Sequence, residues 1–292
     1  SEGNQKRFPF FVSIFSFRKT KTMNCSILSN DCRVESWEQL VEELYRNAWK
    51  PEMERFRSDY AFRGLSDCTY RLENSFLRNS GRHPELEYHI LRNFRKYAPT
   101  SDFSQSNSPL RSLVIAQHHG LPTRLMDWTY SPFVALHFAT SNTEKFDIDG
   151  VIWQVDFVKV NQLVPEPLKN LLTYEKCNAF TVEMLESEFS SIHELDCKIG
   201  KGHVLFFEPP SLDDRIINQF ALFSIMTPVT AVLDDWLKQH PEVYRRIIIP
   251  AALKWEIRDK LDQANITERV LFPGLDGLAR WLKRHYQPKN PL

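Results

Sequence analysis

The chain has 292 residues, of which 42% are hydrophobic, 13% aromatic and 25% charged, and its 37 Lys and Arg balance its 37 Asp and Glu. Such a composition builds a buried core and excludes a disordered or collagen-like chain. It also lacks the global basic field of a duplex-binding protein, although a neutral sum leaves room for a local basic groove.

Cys25, Cys32, Cys68, Cys177 and Cys197 are odd in number and show no C-x-x-C spacing. They read as reduced thiols of a cytoplasmic protein, with neither a disulfide framework nor a zinc site. Residues 8–17 are apolar and flanked by Lys6-Arg7 and by Arg18-Lys19-Thr20-Lys21. That run is about half the ~20 residues a bilayer span needs, and no small-residue cleavage site marks it as a secretory signal. Met23 reads as an internal start, which makes residues 1–22 an N-terminal extension and 23–292 a single domain.

Ser36 with Gln39 three residues later has capping-box spacing, and Trp37, Leu40, Val41, Leu44, Tyr45 and Trp49 follow at helical intervals. Residues 60–64 (YAFRG) form a short strand ending in Gly. His83-Pro84 opens a helix carrying Leu86, Ile90, Leu91, Phe94 and Tyr97, and 101–108 is a polar loop. Ser108-Pro109 and Ser131-Pro132 each pair an N-cap Ser with Pro in the first turn. The first helix runs toward a terminal Gly120, and the second, 133–139, is nearly all apolar and must be buried. The segment 123–129 between them is extended. Strands follow at 150–157, 202–208, 221–225 and 246–249, with short helices broken at Pro165 and Pro167 in 160–189. Helices at 252–264 and 277–286 close the chain. Helices and strands interleave without strict alternation, so the expected class is α+β, a mixed central sheet flanked by several helices.

No Walker loop, H-E-x-x-H, G-x-S-x-G or dinucleotide glycine fingerprint is present, which removes the commonest kinase, hydrolase and dehydrogenase readings. The chemistry is concentrated at 116–139, AQHHGLPTRLMDWTYSPFVALHFA. The adjacent pair His118-His119, an Arg, an Asp and a Trp stand there beside a core-facing helix that carries a third His, the setting in which a site is usually built.

Phe62-Arg63-Gly64, Tyr70-x-Leu72, Arg78, the block 116–129, and Ser131-Pro132-x-x-Ala135-Leu136-x-Phe138-Ala139 together resemble the FRG domain family. Its later Arg-x-x-x-Gln and Gly-x-Phe hallmark is matched by Arg215, Gln219 and Phe223, so the likeness runs from about Trp37 to Leu282. His119 stands where Tyr is usual and Ala221 where Gly is usual, which bears on ring stacking and on close backbone approach. FRG domains occur mostly in bacterial and phage proteins. In order and type the elements also resemble ADP-ribosyltransferases: Arg63-Gly64 for the first strand, Asp127-Trp128-Thr129 leading to Ala135 and Phe138 for the second, and Gln219 for the late acidic position. This is fold-level analogy.

The resemblance implies an NAD-dependent ADP-ribosyltransferase-like effector of a toxin or phage-defence kind. Its ligand would be a small-molecule dinucleotide and its acceptor a nucleic acid or protein. Gln219, His118 and Asp127 are then the candidate catalytic residues, and Arg63, Gly64, Tyr70, Arg78, Thr123 and Arg124 the cofactor-binding set. No metal is expected. Arg63 suits a pyrophosphate or ribose hydroxyl. His118 suits a ribose hydroxyl or a proton. Asp127 suits a developing positive charge. Gln219 has no titratable group and could only align a hydroxyl. Each also has a structural reading: an ion pair for the arginines, a helix-end hydrogen bond for His118, a cap for Asp127, and a backbone bridge for Gln219. His137 reads as a satisfied core residue. Two other readings stay open: a non-enzymatic nucleotide- or RNA-binding module, and a phosphodiesterase or nuclease using His118, Arg124 and Asp127.

Overall fold

A computed structural model describes residues 30–99 and 108–289. The apolar run 8–17, Met23, Cys25 and most of the 101–108 loop lie outside the described residues. In chain order the described strands are β1 Asp31–Arg33, β2 Trp49–Lys50, β3 Arg55–Phe56, β4 Tyr60–Leu65, β5 Met126–Thr129, β6 Gly150–Asp156, β7 Phe180–Thr181, β8 Val204–Glu208, β9 Ala221–Met226 and β10 Tyr244–Ile249. Eight of them form one mixed sheet in the order β1-β10-β6-β4-β5-β9-β8-β7. The edge pairs β1–β10 and β7–β8 are parallel and the inner neighbours antiparallel. The fold is thus mixed α+β, as expected.

β6 shows why its sequence is almost continuously apolar. It lies inside the sheet, and all seven of its residues are buried. Ile152 shares one core with Phe62, Ile247 and Ile249, while Val151, Trp153 and Val155 share another with Ala61 and Ile248. A strand covered on both faces loses the polar alternation of a half-exposed one. The helices Trp37–Tyr45, Pro132–Ala139 and Lys254–Gln263 cover the first face.

All three serine caps form as the sequence predicts. Gln39 N donates to Ser36 Oγ at 3.3 Å, Arg111 N to Ser108 Oγ at 3.2 Å, and Val134 N to Ser131 Oγ at 3.3 Å. Two expectations need correction. The first helix stops at Tyr45, so Trp49 is not on its stripe but on β2, edge-on to Phe56 at 5.1 Å. Pro167 does not break a helix; it sits in the first turn of Glu166–Glu175, where its missing N–H costs nothing.

The apolar helix Pro132–Ala139 lies directly on β4. A Cβ built on Gly64 would fall 1.8 Å from the Ala135 carbonyl oxygen and 2.7 Å from Ala139 N. Gly64 is therefore needed for helix-to-strand contact, and Ala135 and Ala139 keep the opposite face small. The sequence-based expectation that this glycine serves a ligand is corrected on that point: its missing side chain serves packing.

His137 is completely buried on that helix, and its Nδ1 accepts a hydrogen bond from Arg258 Nη1 at 2.9 Å. Burial first, then the charge of Arg258, push its pKa down to about 3. The folded protein refuses a proton that the unfolded chain accepts near pH 6.5, so this contribution to stability is full above pH 6.5 and falls as the pH drops toward 3. One such proton changes stability by about 1.4 kcal/mol per pH unit. Urea midpoints should fall between pH 7 and pH 5. His137→Gln, which keeps an acceptor for Arg258 but cannot titrate, should show a smaller fall; equal falls would place the proton elsewhere.

Candidate functional site

The site begins where β4 and β5 separate. Their ladder consists of one register pair, Phe62 with Thr129, whereas β4 and β6 pair along six residues. Beyond that pair the two strands part, and Arg63, Gly64 and Leu65 face Asp127 and Trp128 across a cleft of about 280 Å³. His118, Gln219 and Tyr70 also line it. Segments far apart in sequence thus bring a guanidinium, an imidazole and a carboxamide to one wall.

The helix Pro109–His118 delivers His118. It ends through Gly120 N donating to Gln117 O at 3.0 Å and Leu121 N to Ala116 O at 2.9 Å, and Gly120 takes φ +81°, a left-handed turn that favours glycine. The chain then doubles back into β5. Gln117 spans the turn: its Oε1 accepts from Thr123 Oγ1 at 2.7 Å and its Nε2 donates to Asp127 Oδ2 at 2.9 Å. Both ends of the amide are used, so the orientation of Asp127 is fixed from the helix side. Asp127 is the one acidic side chain among the described residues lining the cleft, and it is 58% exposed.

Arg63 donates from Nη1 to the Asp127 carbonyl and lies 3.9 Å from its carboxylate. Its Nε is sealed from solvent with no hydrogen-bond partner among the described residues. Burial lowers the guanidinium's proton affinity, Asp127 offsets part of that, and the nearby charge of Arg78 adds to it. The result is a cation held at the wall of a cavity with donor capacity to spare.

His118 Nε2 meets Asp213 Oδ2 at 2.6 Å, and Arg215 Nη1 donates to the His118 carbonyl at 3.0 Å. Burial draws the His118 pKa below its ordinary value, and Asp213 pulls the other way. The ring is therefore neutral at pH 7 and is oriented by a carboxylate, the arrangement a general acid–base uses. Asp213 also caps the helix Asp214–Asn218 by accepting from Ile216 N at 3.1 Å through Oδ1. Asp213→Asn keeps an oxygen for the cap but removes the charge. A nuclear magnetic resonance titration should find the His118 midpoint below 6.5 in the wild type and lower still in the variant; a wild-type midpoint above 6.5 would contradict this electrostatic picture.

Several expected ligand residues are employed otherwise. Arg124 is 3% exposed and does not line the cleft: Nε donates to Glu87 Oε1 at 2.7 Å and Nη2 to Asp196 Oδ2 at 3.2 Å. It ties the helices Glu85–Tyr97 and Ile192–Ile199 to the start of β5, so the trio His118, Arg124 and Asp127 of the nuclease reading is not assembled. Thr123 is buried and serves Gln117 and, through its Oγ1, the Leu125 N–H. Arg78 is exposed and donates to the Glu73 carbonyl, outside the cleft lining.

Gln219 lines the cleft, but its Nε2 donates to Leu271 O at 2.9 Å and its own carbonyl accepts from Thr129 Oγ1 at 2.7 Å. It bridges backbone segments, the structural alternative read from the sequence. Trp128 is 3% exposed, with Nε1 donating to Ser224 Oγ at 2.9 Å, and so belongs to the core as well as the wall. Sequence reasoning gave no site role to Gln117 or Asp213, and named Phe138 only as part of the helix in the family likenesses. The spacing of Gln117 to Thr123 and the cap position of Asp213 were the only local signals for the first two.

No described helix is long and apolar enough to cross a membrane. Among the described residues no group of three or more His, Cys, Asp or Glu is placed to hold a metal ion. The FRG domain family model matches residues 58–148, a narrower span than the scattered residues of the likeness suggest. It takes in β4, the helix Pro109–His118, β5 and the helix Pro132–Ala139, the first three of which carry Arg63, His118 and Asp127. No curated protein and no solved structure matches the chain.

Proposed function

Because residues 58–148 of this chain are an FRG domain, we propose that the cleft is where the domain binds its ligand, and that the ligand is a nucleotide, with NAD as the working substrate. The observation that carries this reading is the convergence of Arg63, His118 and Asp127 on one cavity walled by Phe62, Tyr70 and Phe138. A guanidinium recognises phosphate or ribose oxygens, and aromatic walls suit a planar base. Asp127 supplies a carboxylate where loss of nicotinamide would leave a positively charged ribose centre. His118, neutral and backed by Asp213, would accept the proton of the attacking hydroxyl. Consumption or transfer of NAD is chemistry that a toxin or phage-defence effector would use.

The bridging role of Gln219 favours a second reading, in which the cleft binds a nucleotide without turning it over. Incubation of the purified chain with NAD, alone and with cell lysate, separates the two. Nicotinamide release lost in Asp127→Asn supports the transferase. Stabilisation by NAD or ADP-ribose without release supports the binding module. No release and no stabilisation in the wild type would remove the nucleotide reading altogether.

A further inference from the structure

The cleft's volume of about 280 Å³ lies just under the ~300–1,000 Å³ usual for ligand pockets. It has room for one nucleoside-sized group, not for a dinucleotide. Phe138 lines it on one side and lines a second cavity, of about 410 Å³, on the other.

The second cavity lies between Ser141, Asn142 and Thr143 on one wall and Arg280 and Lys283 of the helix Leu275–His285 on the other. Arg284 of the same helix is committed to Asp262 and Glu268. Arg280 and Lys283 form no ion pair among the described residues; Arg280 rests on the face of Phe272, 5.0 Å from its centroid. Of the acids bordering the cavity, Glu268 is held by Arg258 and Arg284, which leaves Glu144 alone against two free cations. Arg215, on the wall of the first cleft, also lies over the Phe272 ring, at 5.2 Å. The two guanidiniums on this one ring link the walls of the two cavities, along a groove that Asp213, Asp214 and Asp276 also line.

We infer that the ligand site continues past Phe138, and that Arg280 and Lys283 hold a phosphate of a ligand whose base or nucleoside occupies the first cleft. The inference rests on the nucleotide reading of that cleft and assigns its ligand class: a compact dinucleotide or nucleoside diphosphate derivative. The flanking carboxylates disfavour a polyanion, so a nucleic-acid strand does not fit the same groove.

Calorimetric titration of the full chain with AMP, NMN, ADP-ribose, NAD and a short single-stranded oligonucleotide tests it, using the wild type, the double variant Arg280→Gln/Lys283→Gln, and Arg63→Ala. Expected are ADP-ribose or NAD binding about tenfold more tightly than either mononucleotide, and loss of that advantage in the double variant while mononucleotide affinity is kept. Thermal midpoints within about 2 °C of the wild type exclude misfolding of the double variant. Equal affinity for short and long ligands in the wild type, an advantage that persists in the double variant, or tightest binding of the oligonucleotide would overturn the inference and leave the first cleft's reading intact. If none of the probes binds the wild type, the nucleotide reading itself fails, and the inference with it.

Discussion

Gly64→Ala is expected to cost the protein about 3 kcal/mol or more, the upper end for an overpacked core, and to lower its melting temperature by about 10 °C or prevent its accumulation in soluble form. The added methyl would occupy space held by the Ala135 carbonyl oxygen, with the Ala135 carbonyl carbon and Ala139 N also within 3 Å. Backbone atoms of a buried helix have no rotamer to change. Relief requires the helix Pro132–Ala139 to lift from β4, which exposes Phe62, Leu136 and Ile152. The cleft would open with it, because Arg63 adjoins Gly64 and Phe138 is on the helix. Differential scanning calorimetry of the wild type and variant is sufficient, and a soluble Gly64→Ala protein melting within 2 °C of the wild type would show that this contact is looser than described.

The second large effect is expected at Arg124. Replacement by Met leaves Glu87, 6% exposed, and Asp196 without their shared cation, and breaking one side of such a buried pair costs about 3–5 kcal/mol. Burial alone would weaken the charge on Arg124, but Glu87 and Asp196 more than reverse this, and its proton affinity is raised. The triple variant Arg124→Met/Glu87→Gln/Asp196→Asn should recover much of the loss, since the unpaired charges go together. Chemical denaturation of the single and triple variants measures the difference. A triple variant no more stable than Arg124→Met would assign the loss to packing of the side chain instead of to charge.

These two positions also mark how far the sequence can be read. The caps at Ser36, Ser108 and Ser131 are local, each a side-chain oxygen reaching an N–H three residues ahead, and all are legible in a linear string. The buried strand β6 is legible for the same reason, as a run without polar alternation. Arg124 and Gln219 are not. What decides their roles is a partner 72 residues away for Arg124 and 52 residues away for Gln219. No periodicity encodes such a distance, and a conspicuous block of polar residues attracts a ligand role to each member equally. The structure divides that block: Arg124 and Thr123 support, Gln117 positions, and His118 and Asp127 face the cavity.

The ribbon of β2 and β3 escaped the sequence reading because each strand has only two residues. The helices Ile192–Ile199 and Leu233–Gln239 are short as well, and too brief for a helical stripe to stand out.

The central claim is that Arg63, His118 and Asp127 together form a ligand site. A crystal structure of the chain grown with ADP-ribose tests it most directly. The account predicts the ligand seated between β4 and β5, with an oxygen of the phosphate or ribose within hydrogen-bond distance of the Arg63 guanidinium and His118 at the cavity wall. Crystals that bind the ligand elsewhere, with the cleft empty and Arg63 still turned to the Asp127 carbonyl, would contradict it.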